Sequence, residues 1–376
     1  MSRHHLLLLA LGMISALALG PTPADAQDDF WALYNRFRYH DIGYSARSAA
    51  MGGAYSALQD NENSLLGNPA ALGFIETPFV TGHFDYQEVS SALSLDVLGS
   101  EGDAEIWTGQ IGGAYPLEWG AIGLQYGYRT DEMDSSTSFT SYPGLGAQRG
   151  TAQSDGDLDR HYVGLGVGYR IMEELSLGYR FGYLDYDADF GYDVNVVHPA
   201  PFSFGVGYSQ DFSGHRHQFG LQYLATAGLV LGMDGYFGFS DIDSSELGDA
   251  DGDSYAIRGG FAWNIMEDIP LLLALDVNYE FRELTGGPND SEDELIGAHL
   301  GAEYEVYEDL FLRAGYQFED INFDEFAAPI HETIQMGGYT AGFGYKYDQF
   351  NFDYAFRYLD TGGGDMAHYF TIGYEF

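Results

Sequence analysis

Pro270-Leu271-Leu272-Leu273-Ala274-Leu275-Asp276-Val277-Asn278-Tyr279-Glu280-Phe281-Arg282-Glu283 is the stretch that decides the fold. Leu271, Leu273, Leu275, Val277, Tyr279 and Phe281 share one parity, and Asp276, Asn278, Glu280 and Arg282 share the other. Successive side chains of a strand point to opposite faces, so this is a strand with one apolar and one polar face. The pattern recurs. In 158–171 Val163, Leu165, Val167, Tyr169 and Ile171 oppose Tyr162, Gly164, Gly166, Gly168 and Arg170. In 174–187 Leu175, Leu177, Tyr179, Phe181 and Tyr183 oppose Ser176, Gly178, Arg180 and Gly182. Stretches 253–265 and 349–359 repeat it with Tyr255, Ile257, Phe261 and Trp263, and with Phe350, Phe352, Tyr354, Phe356 and Tyr358.

The phase of the charges says what the apolar face meets. Arg129, Arg170, Arg180, Arg258, Arg282, Arg313 and Arg357 all lie on the polar phase of their strands. On a two-face estimate that happens by chance about once in a hundred. A charge facing mid-bilayer would cost about 2–4 kcal/mol, which accounts for the bias. In lipid, open sheet edges leave backbone groups unpaired, so strands span only as a closed barrel. The expected fold is therefore an all-β transmembrane antiparallel barrel over residues 78–376. A soluble sandwich with one wet face per sheet is the competing reading.

Short turns at 172–174, 266–268, 307–309 and 347–349 alternate with acidic stretches at about 131–157, 241–252, 284–292 and 322–334, which read as long loops. That asymmetry suits short periplasmic turns and long extracellular connections. Counting back from 366–376 yields fifteen strand-like segments, an odd number for a single-chain barrel. The fault lies between 185 and 230. Either 189–197 is an extra strand, making sixteen, or two segments form one long strand, making fourteen.

Composition narrows function. The 376 residues carry 15 basic and 57 acidic side chains, a formal net charge of −42, which argues against nucleic acid as a partner. There is no Cys, hence no disulfide, thiolate metal site or cysteine nucleophile. The acidity fits cation-mediated contact with lipopolysaccharide, a salty habitat or plain solubility alike. Leu6 to Gly20 is an apolar run of signal-peptide length, and Ala24-Asp25-Ala26 supplies a small-x-small cleavage pattern. Export with cleavage after Ala26 is expected, and with it insertion into a bacterial outer membrane. The aromatic C-terminal residue Phe376, in phase with Phe370, Ile372 and Tyr374, is expected to be read by the barrel assembly machinery.

Residues 27–77 do not alternate. Small residues crowd Arg47-Ser48-Ala49-Ala50-Met51-Gly52-Gly53-Ala54-Tyr55-Ser56-Ala57-Leu58, and Asn68-Pro69-Ala70-Ala71-Leu72-Gly73 reads as a turn. Such a segment packs outside the barrel or plugs it.

No nucleophile elbow or phosphate loop occurs, and Gly164-x-Gly166-x-Gly168 sits mid-strand, so no enzyme and no cofactor are expected. His215 and His217 have metal-ligand spacing without a third ligand. Asp249-Ala250-Asp251-Gly252-Asp253, with Asp241, Asp243 and Glu246, lacks the register of a calcium loop. No metal site is assigned. The inward arginines are open to two readings: receiving a ligand carboxylate, with Arg129, Arg258, Arg282 and Arg313 as candidates, or pairing with Asp276, Glu280, Glu303, Glu305, Glu319 and Asp353.

The run Gly43 to Leu58, followed by Asn68-Pro69-Ala70-Ala71-Leu72-Gly73, resembles the N-terminal hatch of the FadL-type outer-membrane transporters of long-chain fatty acids and aromatic hydrocarbons. The last strands, with Phe352-Asp353-Tyr354-Ala355-Phe356-Arg357-Tyr358, are similar too. The resemblance implies 14 strands and a plugged lumen. It also implies sideways exit through a gap beside a kinked strand. Arg47, Met51, Gly52, Gly53, Asn68, Pro69 and Ala70 would form the gate, and the ligand would be a small hydrophobic molecule. A related branch serves type IX secretion, so an anchor, shuttle or structural barrel is the alternative, with a general porin third.

Overall fold

The computed structural model describes residues 44–91, 100–141, 148–198, 202–244, 249–266, 269–285, 291–325, 331–360 and 365–376. The signal-peptide reading and residues 27–43 lie outside them. Fourteen antiparallel strands follow in chain order: β1 (Phe79–Ser91), β2 (Ser100–Leu117), β3 (Gly120–Ser141), β4 (Gln148–Met172), β5 (Leu175–His198), β6 (Phe202–Thr226), β7 (Leu229–Ser244), β8 (Ala250–Met266), β9 (Ile269–Thr285), β10 (Ser291–Tyr307), β11 (Leu310–Glu325), β12 (His331–Tyr347), β13 (Phe350–Asp360) and β14 (Asp365–Glu375). Each pairs with its chain neighbours, and β1 pairs with β14 from Phe79↔Glu375 to Glu88↔Met366, closing the barrel.

The parity question resolves at β5. Residues 189–197 are its upper part, paired with β4 and β6, so the count is fourteen. The stretches expected as long loops are mostly strand. β3 and β4 stay paired from Thr130↔Asp159 to Ser141↔Gln148, and β7 pairs with β8 up to Ile242↔Ala250. Above the membrane the outward face meets water, so the outward apolar period fades while backbone pairing continues. At the other end the turns are tight, with Asp309 and Asp348 at φ of 65° and 55°, a left-handed conformation that a short Asp side chain tolerates.

The outward face has the zoning of a membrane barrel. Ile111, Leu124, Val277, Ile296, Leu300 and Ile372 are exposed in its middle. Trp119, Tyr307, Tyr347 and Phe350 ring the short-turn end, and Trp107, Tyr128, Tyr255 and Tyr339 the other. Beyond that second ring the outward phase turns acidic: Glu88, Glu105, Glu132, Asp157 and Asp189 stand side by side on β1 to β5. The seven arginines all point inward.

Inside lies the segment 44–78. Ser45 caps α1 (Ala46–Ala50) by accepting from Ser48 N, and Asp60 caps α2 (Asn61–Leu66) by accepting from Asn63 N. A 3-10 turn, Pro69–Phe74, follows with Asn68 as its cap. The segment sweeps round the inner wall. Ala46, Ala49 and Ala50 pack on Ala355, Ala367 and Tyr369; Met51, Ala54 and Leu58 pack on Ala262 and Ala274; Leu65 and Leu72 pack on Ala114 and Ala121.

Candidate functional site

Polar side chains of the wall hold this segment. Asp276, buried on β9, accepts from Tyr55 N and Ser56 N at 2.8 Å and from Ser56 Oγ at 2.6 Å. Thr340 accepts from Gly52 N and donates to Ala50 O. Thr371 accepts from Ala46 N, and Ser176 donates to Ala70 O. Asn68 Nδ2 donates to Ser56 O at 2.7 Å and reaches Leu221 O and Met233 O on the wall.

Arg47 sits at the centre of the charged contacts. Its Nε and Nη2 donate to Glu303 at 2.8 and 2.6 Å, and its Nη1 donates to Asp60 at 2.8 Å. Burial works against the charge, but Glu303 and Asp60 outweigh it and hold the guanidinium protonated. Glu62 behaves oppositely. Burial, then Asp60 and Asp353, pushes its carboxyl up to about 8, while Asn351 Nδ2 donates to it at 3.1 Å.

Gly52 shows how closely the segment approaches the wall. Its φ is +72°, and an added Cβ would lie 2.7 Å from the backbone oxygens of Leu300 and Tyr316. Gly52→Ala therefore carries both left-handed strain and overpacking, about 2–5 kcal/mol together. The expected result is loss of hydrogen-exchange protection over 44–58 with the barrel strands unaffected; unchanged protection would mean the segment is not seated there.

The candidate arginines separate into two groups. Arg129 is buried against Asp131, which also takes Arg160. Arg313 is held by Glu303 and Asp353, and Arg282 by Glu280. Glu280, Glu303 and Asp353 thus pair with arginines, whereas Asp276 is taken by Tyr55 and Ser56 with Arg258 4.0 Å away, and Glu305 sits near the 308–309 turn and accepts from Asp309 N. Arg258 is different. It donates to Gly53 O at 2.9 Å, stacks on Tyr55 at 4.2 Å and lines a cavity.

That cavity lies between the segment and β4–β9. Its free volume is about 70 Å³, and Tyr44, Tyr55, Tyr162, Tyr236, Leu66 and Leu184 form its apolar walls. Arg180, Arg216, Arg258, Asp234 and Glu280 supply the polar groups. Burial pushes the Tyr44 and Tyr55 hydroxyls up, so both are neutral phenols. Arg216 lies over the Tyr236 ring at 3.5 Å. Leu184 also packs against a buried apolar cluster nearer the long-strand end, made by Val89, Ile106, Leu158, Tyr186, Phe212 and Ile242. A closed, largely apolar throat thus sits above a mixed aromatic and polar cavity.

Asp234, Arg180, Arg216 and Tyr162 were not among the candidate ligand residues. Asp234 carried a legible signal, since it falls in the inward phase of Leu231-Gly232-Met233-Asp234-Gly235-Tyr236-Phe237. His217 Nδ1 lies 2.8 Å from the Tyr179 hydroxyl on the outer face, and His215 packs on Phe239. Asp251 and Asp253 are exposed positions of β8, not loop ligands; Glu246 lies outside the described residues.

No family model matches the chain, and no curated protein matches it in sequence. Solved structures do match. The Pseudomonas putida toluene transporter TodX aligns over 89% of this chain and 98% of its own, with a TM-score of 0.54 and 17% identity. The Ralstonia pickettii toluene transporter TbuX aligns over 90% and 99%, at 0.55 and 13%. A Pseudomonas aeruginosa FadL homologue aligns over 88% and 98%, at 0.61 and 10%. The chain has the FadL-type barrel fold. One implied feature of FadL-type barrels differs here. Register shifts fall only near strand ends, at 149–150, 170–172, 224–226, 264–266 and 305–307, and β2 is paired with β1 from Gly102 to Ala114 and with β3 from Ser100 to Leu117. Among the described residues, this wall has no mid-barrel gap.

Proposed function

We propose that the chain is a bacterial outer-membrane channel for small hydrophobic molecules of about one aromatic ring, with residues 44–78 as its gate. The observation that carries this is the cavity of about 70 Å³ between that segment and the wall. Its tyrosine-lined walls offer stacking faces to a single aromatic ring. The apolar cluster that meets it at Leu184 offers a hydrophobic ligand an apolar surface on the long-strand side. The toluene transporters among the structural neighbours favour the same ligand size. Of the four candidate arginines, Arg258 is the one placed to touch ligand beside the gate; Arg282 stands at the neighbouring recess with Tyr186 and Phe212. Export with cleavage after Ala26 and assembly through Phe376 belong to this reading, as does contact of the outward carboxylates with lipopolysaccharide.

The uninterrupted wall favours a second reading, a structural barrel or secretion anchor. Influx separates the two. Outer-membrane vesicles carrying the protein under a lipopolysaccharide leaflet should take up labelled toluene faster than vesicles lacking it, and labelled palmitate no faster. Equal toluene uptake in both vesicle types would leave the structural reading.

A further inference from the structure

We propose that this cavity selects a neutral ring bearing a hydroxyl donor, a phenol, over a bare hydrocarbon or an aromatic carboxylate, with Asp234 as the acceptor. The inference deepens the proposed channel function and rests on it. Asp234 is 4% exposed and lines the cavity. Its Oδ2 accepts from Gln218 Nε2 at 2.9 Å and from the Tyr55 hydroxyl at 3.5 Å. Its Oδ1 is buried with no hydrogen-bond donor among the described residues. A buried carboxylate oxygen without a donor is costly, so a native site that keeps one calls for a missing partner.

The surrounding donors are turned elsewhere. Arg258 gives Nη1 to Gly53 O and lays its plane on Tyr55. Arg180 Nη2 is spent on Leu66 O, Gly67 O and Gln218. Arg216 covers the face of Tyr236.

Charge then sorts the ligand classes. A carboxylate ligand would stand beside Asp234 and Glu280, whose charges repel it. A cation would stand among Arg180, Arg216 and Arg258. A neutral molecule avoids both penalties, and its aromatic body fits among the rings of Tyr44, Tyr55, Tyr162 and Tyr236. A phenolic O–H aimed at Oδ1 adds a charge-assisted hydrogen bond that toluene cannot make. Sites built around such a bond discriminate strongly against the analogue that lacks it, because the acceptor is left unpaired.

The test is equilibrium dialysis of the purified full chain with labelled phenol, toluene and benzoate. Phenol should bind at least about tenfold tighter than toluene or benzoate. Asp234→Asn, nearly isosteric, should bring the phenol-to-toluene ratio towards one. Ala256→Phe fills the cavity from the neighbouring strand β8 and should abolish binding of both. Heat-modifiability on detergent gels verifies that each variant is folded. The wild-type ratio alone decides the matter even where a variant misfolds: equal binding of phenol and toluene overturns the inference, as does a ratio that Asp234→Asn leaves unchanged. Selective phenol binding without toluene or phenol influx would retain the site and overturn the channel. Toluene influx without phenol preference would do the reverse.

Discussion

Asp276→Ala should free the interior segment while leaving the barrel folded. Asp276 takes two backbone N–H groups and one hydroxyl from Tyr55 and Ser56, and the Arg258 guanidinium stands 4.0 Å away. Removing the carboxylate orphans those donors in a buried place. Each orphan costs about 1–3 kcal/mol, and breaking a buried charged contact about 3–5 kcal/mol. The cost falls on the segment, because the strands pair with each other and do not depend on Asp276 for closure. Hydrogen exchange should therefore quicken by more than about a hundredfold over residues 51–58, as about 3 kcal/mol requires. Heat-modifiability should stay as in the parent protein. Asp276→Asn keeps one acceptor oxygen and should fall between the two. Equal protection in all three proteins would mean that Asp276 does not hold the segment.

How much of this was readable from residue order depends on what each residue faces. Between lipid and lumen, period-2 alternation is enforced by the cost of polar groups in hydrocarbon, so β9, with Leu271 to Arg282, was plain. Past the aromatic ring that cost disappears. Asp187, Asp189 and Asp193 on β5 look like loop, yet their backbone is paired with β4 and β6. That is why strand lengths were misjudged while strand phase was not. The inward phase was legible as polar but not as to partner. Arg313 and Arg258 look alike in sequence; one is locked by Glu303 and Asp353 from β10 and β13, the other meets a loop carbonyl at Gly53. Ala355 looks like spare lumenal room, and the structure fills that room with Ala46, Ala49 and Ala50. Such pairings join residues hundreds of positions apart, beyond the reach of any local pattern.

Deleting residues 28–66 should turn a closed barrel into a conducting one, with the size of the change set by the throat. The strands keep every ladder bond, since the barrel closes through β1 and β14. Wall groups that lose the segment, among them Asp276, Glu303 and Thr340, regain water as the lumen fills, so none is left as a dry orphan. The cost to the barrel should stay below the roughly 3–5 kcal/mol of breaking one buried ion pair in place. Ions still meet the apolar cluster of Ile106, Leu158, Tyr186 and Phe212, and apolar constrictions resist ions by dewetting. The segment is thus the closure, and the throat a further resistance in series with it. In planar bilayers Phe212→Ser alone should leave conductance at the closed baseline. The deletion alone should raise it. The two together should raise it by more than the deletion does, because a hydroxyl in the throat lets water remain. A combined variant that folds and still does not conduct would mean that residues 28–66 do not plug the lumen, and the structural reading of the barrel would stand.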